Sequence, residues 1–176
     1  EIAESLDPEK LVISIAAGVR IAAVEARLPE GTPVLRAMPN IAATVGKSVT
    51  ALAAGRHAGR ADLELGRTVL GGVGAVVELP ERLLDAFTGL AGSGPAYVFT
   101  FVEALVQAGL KVGLPAAQAR EIAVQTVLGA AEMLAADPDT HPAQLRDSVT
   151  TPAGTTISGL HELEAGRLTD VVIRAV

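Results

Sequence analysis

The 176 residues contain no cysteine and no tryptophan. A disulfide framework and a thiolate zinc site are therefore excluded. Histidine is scarce: His57, His141 and His161 stand far apart, so a histidine-dominated metal centre is not expected and no metal is assigned. Aromatics make up 2% of the chain against 49% hydrophobic residues. The core must be built from Ala, Val, Leu and Ile, and global disorder is excluded. No run of about 18 uncharged apolar residues occurs, so no membrane span is expected. The first residue is Glu1, and no basic-then-apolar leader of the secretory kind follows it. Basic residues are outnumbered 14 to 20, for a formal charge of -6. That disfavours the nucleic-acid backbone as a partner.

The first half alternates apolar runs with helical stretches. Residues 11–17 read as a buried strand ending at Gly18, followed by a helix over 19–28. Further strands are expected over 33–38, 48–53 and 74–79, with a helix over 61–70 before the last of them. Strands separated by helices predict an α/β fold with a largely parallel sheet and an antiparallel edge. At Pro80 the pattern changes to helices: 83–90, 96–110, 115–134, 142–149, 155–164 and 168–176. Pro95 suits the first turn of its helix, and Val98, Phe101, Val102, Leu105 and Val106 form an apolar face. The reading is α/β followed by all-α. Several helices are apolar over more than one face, so the helical part is expected to pack against a second chain.

Ser148-Val149-Thr150-Thr151-Pro152-Ala153-Gly154-Thr155-Thr156 carries the strongest chemical signal. Hydroxyl residues bracket a Pro-Ala-Gly turn at the start of an apolar helix. Unpaired backbone N–H groups and the helix dipole favour an anion there. Thr151, Thr155 and Thr156 add donors. An ordinary helix cap is the competing reading.

Ala16, Ala17 and Gly18 end the first strand, where open α/β sheets bind ligands. Met38, Pro39 and Asn40 end the second strand and can line the same crevice. Close strand–helix packing is the alternative for both. No GxGxxG or Walker loop is present. All three histidines read as structural, His141 as a helix cap or a surface residue. Tyr97 either packs with its hydroxyl at a rim or reaches a ligand. Arg146 and Asp147 read as fixing the threonine loop.

These pieces resemble the pyrroline-5-carboxylate reductase family. The resemblance rests on Val12-Ile13-Ser14-Ile15-Ala16-Ala17-Gly18-Val19, Arg36-Ala37-Met38-Pro39-Asn40, Gly92-Ser93-Gly94-Pro95-Ala96-Tyr97-Val98-Phe99, His141-Pro142 and the 147–156 stretch, in family order over nearly the whole chain. It implies an oxidoreductase that reduces the C=N bond of 1-pyrroline-5-carboxylate to L-proline with NADPH or NADH. It also implies the C-terminal part of a Rossmann-like dinucleotide-binding domain over 1–79. A helical dimerisation and substrate-binding domain would follow over 80–176. Ala16, Ala17, Gly18, Met38, Pro39 and Asn40 would adjoin the cofactor. Thr151, Gly154, Thr155 and Thr156 would hold the substrate, with the Thr156 hydroxyl near the ring nitrogen as the catalytic group. The partners implied are a small-molecule substrate and a second copy of the chain, with dimers able to assemble further, in the cytoplasm, away from nucleic acid and membrane.

The family's usual Met-Pro-Asn-Thr-Pro is Met38-Pro39-Asn40-Ile41-Ala42 here, and its paired glycines are Ala153-Gly154. The family's opening strand and glycine-rich phosphate turn are not within the 176 residues, so the chain reads as N-terminally truncated and is expected to bind cofactor weakly and show little or no activity alone. Two other readings remain. One is a different NAD(P)-dependent dehydrogenase with a helical C-terminal domain, for which Lys111 is the only lysine in the helical half. The other is a non-catalytic helical association module.

Overall fold

The structure is a computed structural model and describes Asp7 and residues 10–176. The start of the domain read over 1–79 thus lies outside the described residues. One unit runs up to Ala96 and a second spans Tyr97–Val176.

The first unit holds four strands among the described residues: β1 (Val12–Ser14), β2 (Val34–Met38), β3 (Ser48–Ala54) and β4 (Gly74–Glu78). They lie side by side in chain order. β1–β2 and β3–β4 are parallel, and β2–β3 is antiparallel. Connection length explains this. Parallel neighbours need a crossover of a dozen or so residues. α1 (Ile21–Glu25) and α2 (Arg60–Gly71) lie in those crossovers. Between β2 and β3 the chain has room only for one 3₁₀ turn, Ile41–Val45, and doubles back. The antiparallel pairing is therefore central, where an edge position was expected.

β1 is shorter than the strand expected over 11–17, and only half-buried. Among the described residues it pairs only with β2, through Val12, Ile13 and Ser14. Beyond Ser14 the chain leaves the sheet, and the Val19 N–H donates to the Ala16 carbonyl.

Strand alternation sends side chains to opposite faces. On one face Val34, Ala51 and Ala53 pack with Ile21 of α1 and with Leu84 and Phe87. On the other, Leu35, Ala37 and Leu52 are covered by Leu63 and Leu70 of α2. Gly66 of α2 is buried, and a Cβ there would strike Leu35, so the glycine sets this close approach. Leu35, Leu52 and Leu84 are fully buried, each a site where truncation to Ala costs about 2–5 kcal/mol.

The helix expected over 83–90 is a composite. A 3₁₀ turn (Glu81–Leu83) leads into α3 (Leu84–Phe87), and a π turn (Thr88–Gly92) follows. The run Glu81–Lys111 is long and apolar enough to cross a membrane by length and composition alone. Its first part is bound otherwise, because Leu84 and Phe87 belong to the sheet's core.

The helical region comprises α4 (Gly94–Lys111), α5 (Ala116–Ala136), α6 (Pro142–Ser148), α7 (Thr155–Ala165) and α8 (Leu168–Ala175). α4 and α5 meet where Gly109 faces Ala119; a Cβ on Gly109 would sit 3.0 Å from that of Ala119. Ala119 and Ala123 are the only buried residues of these helices. Phe101, Ile122, Val124, Leu128 and Ile173 are all exposed. Five helices with two buried alanines have no core of their own.

Candidate functional site

Residues 147–156 form a tight passage between α6 and α7. Asp147 accepts from the Thr150 N–H through its carbonyl at 3.0 Å. The Gly154 N–H then closes the Pro152-Ala153 turn on the Thr151 carbonyl, also at 3.0 Å. Ala153 lies in the left-handed region at φ 55°. That conformation costs a non-glycine residue about 1–2 kcal/mol. Gly154 is the N-cap residue of α7, and no side chain caps that helix. The nearby hydroxyls are engaged elsewhere. Ser148 Oγ donates to the Leu145 carbonyl and Thr150 Oγ1 to that of Arg146. Ser158 Oγ turns back to the Gly154 carbonyl. The threonine cap weighed from the sequence is thus absent, and the first amides of α7 have no side-chain acceptor. Thr156 is half-buried, while Thr151 and Thr155 are exposed.

The arrangement suits a carboxylate. An anion at the helix start would take up N–H groups that the chain leaves unsatisfied, next to the favourable end of the dipole. Gly154 keeps the approach narrow. A Cβ there would meet the Thr151 hydroxyl and lie 3.1 Å from the Thr151 carbonyl oxygen.

Ala16, Ala17 and Gly18 are exposed beyond the end of β1. Gly18 has φ 73°, and nothing lies within 4 Å of where its Cβ would be. Parallel pairing of β1 with β2 sets this turn beside the end of β2, since Ser14 is in register with Arg36. Met38, Pro39 and Asn40 are half-buried there. Asn40 caps the 3₁₀ turn, its Oδ1 accepting from the Ala42 N–H at 3.2 Å. Its Nδ2 donates to the Ala91 carbonyl at 3.0 Å, and its own N–H to Ser48 Oγ at 3.2 Å. Asn40 therefore ties the end of β2 to the π turn.

Among the described residues no group of three His, Asp or Glu side chains is placed to hold a metal. His141 caps α6: its Nδ1 accepts from the Ala143 N–H, and Gln144 returns a bond to the His141 N–H. Tyr97 bonds within its own helical unit, to α8. Arg146 and Asp147 pair at 3.1 Å on the surface. The hydrogen bond from Arg67 holds the Glu78 carboxyl below the usual glutamate range, assisted by the charge of Arg60.

Sequence reading missed Glu81. Its Oε1 accepts from Arg36 Nη1 at 3.2 Å and from the Ile21 N–H at 2.7 Å. Partners 45 and 60 positions away leave no local signal.

A mixed α/β sheet is followed by helices that bury only two alanines among the described residues, which defines a two-part chain. Residues 81–176 match the family described as pyrroline-5-carboxylate reductase dimerisation. The chain belongs to the pyrroline-5-carboxylate reductase family. It is 48% identical over 168 residues to the pyrroline-5-carboxylate reductase of Methanosarcina acetivorans, covering 96% of this chain and 62% of that protein. Among solved structures it resembles a pyrroline-5-carboxylate reductase from Coxiella burnetii, with TM-score 0.89 and 37% identity over 94% of this chain and 61% of that one. It also resembles the Plasmodium falciparum pyrroline carboxylate reductase with NADP bound, with TM-score 0.86 and 30% identity over 99% of this chain and 68% of that one. The chain spans 62–64% of the length of the first curated relatives it matches.

Proposed function

We propose that the protein reduces the ring C=N bond of 1-pyrroline-5-carboxylate to L-proline with NADPH or NADH, the last step of proline synthesis. The observation that carries this reading is the uncapped start of α7, with Thr156 half-buried beside it. The family membership supports it.

The backbone N–H groups of Thr155 and Thr156, with Thr151 and the close approach that Gly154 allows, hold the substrate carboxylate and fix the ring's orientation. The Thr156 hydroxyl hydrogen-bonds the ring nitrogen. An unperturbed threonine is a weak acid, so a water held by that hydroxyl supplies the proton. A cyclic iminium is a good hydride acceptor, so the protein's tasks are orientation and charge. The open turn at Ala16–Gly18 and the adjoining Met38–Asn40 fit a flat cofactor ring, since no side chain crowds Gly18. Nicotinamide, when bound, supplies the hydride that goes to the imine carbon. Electron pair and proton then balance at the two ends of the former double bond.

The same reading makes the protein a cytoplasmic homodimer joined through its helical region, a domain we take to begin at residue 80. The exposed apolar residues of α4, α5 and α8 support this, since so large an apolar surface is what an obligate interface covers. The deciding experiment is pyrroline-5-carboxylate-dependent oxidation of NADPH and NADH by the complete gene product. Turnover with either cofactor is expected. No oxidation of either at saturating imine would overturn the assignment. Sedimentation of a folded monomer at micromolar concentration would remove the dimer.

A further inference from the structure

Glu81 Oε1 accepts from both flanks of one exposed turn. The Ile21 N–H, the first of α1, donates to it at 2.7 Å. Arg36 Nη1 donates at 3.2 Å, from the β2 residue in register with Ser14 at the end of β1. Between Ser14 and Ile21 runs the Ala16–Gly18 turn. A single carboxylate oxygen therefore fixes the strand beside the start of the turn and the helix that follows its end. Arg20, the N-cap residue of α1, supplies no side-chain cap, so the cap comes from Glu81, 60 positions later.

The turn does little to hold itself. Residues 15–20 are all exposed. The Ala16 N–H reaches Ser14 Oγ at 3.4 Å, and the Val19 N–H reaches the Ala16 carbonyl at 3.4 Å. Both are longer than the usual N–H···O range of about 2.7–3.2 Å. Glu81, by contrast, stands on fixed ground. Just before it, the Leu79 N–H donates to the Leu52 carbonyl at 3.0 Å. Just after it, the Leu83 N–H closes the 3₁₀ turn on the Pro80 carbonyl at 2.9 Å, and Leu84 is fully buried in the core that holds Ile21 and Val34. The Arg36 side chain is 7% exposed, so its attraction for Glu81 is little screened.

We propose that Glu81 is a positioning residue for the reduction: acting through Ile21 and Arg36, and touching no ligand itself, it sets the Ala16–Gly18 turn in the shape that receives the nicotinamide cofactor. This rests on the reading of that turn as the cofactor's neighbour. A turn already held in its bound shape loses less freedom when a ligand arrives. Without Glu81 the ligand must order residues 15–20 itself, and affinity falls. Reach and charge separate this role from simple neutralisation of Arg36. Glu81→Gln keeps an accepting oxygen at the same reach and drops the charge. Glu81→Asp keeps the charge near Arg36 but is one methylene shorter and draws back from Ile21. Were Glu81 only a counter-ion, Asp would replace it better than Gln. Positioning of the turn gives the opposite order.

The test uses the complete gene product and its Glu81→Gln, Glu81→Asp and Glu81→Ala variants. NADPH and NADH are titrated by nicotinamide fluorescence well below each melting temperature, and amide exchange is followed at Ile21. In Glu81→Asp and Glu81→Ala the Ile21 amide should exchange faster while β3 is unchanged. The dissociation constant of the preferred nucleotide should rise about tenfold in those two variants and stay within about threefold of the parent in Glu81→Gln. Unchanged affinity in folded Glu81→Asp and Glu81→Ala, with only lowered melting temperatures, would overturn the proposal. So would a loss in Glu81→Gln equal to that in Glu81→Asp. A parent that binds nucleotide without oxidising it in the presence of the imine would remove the proposed reaction and leave the role of Glu81 to the titration. A parent that binds neither nucleotide would remove the cofactor reading of the turn, and this proposal with it.

Discussion

The Tyr97 hydroxyl donates to the Ala175 carbonyl at 3.0 Å, 78 positions later in the chain. Tyr97 sits in the first turn of α4 and Ala175 in the last residue of α8. The final carbonyls of a helix lack intrahelical donors, so this bond caps the end of α8. Tyr97→Phe keeps the ring and removes the cap. A loss of about 0.5–1 kcal/mol is expected, at the low end because the bond is exposed. Amide exchange should speed up at Val172 and Ile173 and stay unchanged in β2 and β3. Unaltered exchange in α8 would show that the cap is idle.

The threonine passage allows a kinetic separation in the complete gene product. Thr156→Ala should lower turnover about tenfold to a hundredfold, the range of one hydrogen bond to a charged group. Thr151→Ala should act mainly on KM, because a carboxylate contact persists from ground state to transition state. Gly154→Val should be the worst of the three, since its side chain would strike the Thr151 hydroxyl and block the helix start. Steady-state kinetics beside thermal melts decide. Lowered melting temperatures with normal kinetics in Thr156→Ala and Gly154→Val would sink the site.

Gly74 opens β4 at φ 145°, and a Cβ there would collide with the backbone of Ser48. Gly74→Ala must break either the conformation or the β3–β4 register that pairs these two residues. A loss of about 2–4 kcal/mol is expected, combining backbone strain with overpacking. Gly71→Ala, where a Cβ meets open space, is the matched control and should change stability by well under about 1 kcal/mol. Equal denaturation midpoints for the two variants would refute the argument.

Glu78 titrates below an ordinary glutamate because of Arg67, then Arg60. Its folded pKa is depressed, so its contribution to stability is present in full above the unfolded pKa. It fades as pH falls below that value and is gone once pH has passed the folded one. Glu78→Gln should therefore narrow the difference from the parent chain on acidification, with the change confined to that window. Denaturation midpoints measured from neutral pH downward test this; a difference that stays constant through the acid range would contradict it.

Much of this was legible in local pattern. β2, β3 and β4 fall within a residue of the runs read from alternation, and the helices end near Gly113, Asp137 and Gly166 as breaker chemistry requires. His141 at the α6 start follows from its place before Pro142. Pairing direction was less legible: β2–β3 depends on a connection length weighed against a crossover, not on the strands themselves. β1 keeps only Val12–Ser14 of the run read over 11–17, and nothing in the apolar pattern of 11–17 marks that early end. That Gly154 stands at the N-cap of α7 with no side-chain cap was not legible either, since hydroxyl residues flank it on both sides. The Arg36–Glu81 contact joins a strand to a segment 45 positions on, and sequence spacing is silent at that range.

The short return between β2 and β3 also sets a folding order. Closing this connection costs about 0.6 kcal/mol less chain entropy than closing either crossover, which is roughly twice as long. The β2–β3 ribbon brings Leu35, Ala37 and Leu52 together on one face. It is the earliest piece that can bury large side chains, and α1, α2 and β4 condense on it afterwards. Mutations at Leu35 and Leu52 should slow folding, whereas those at Val76 should mainly speed unfolding.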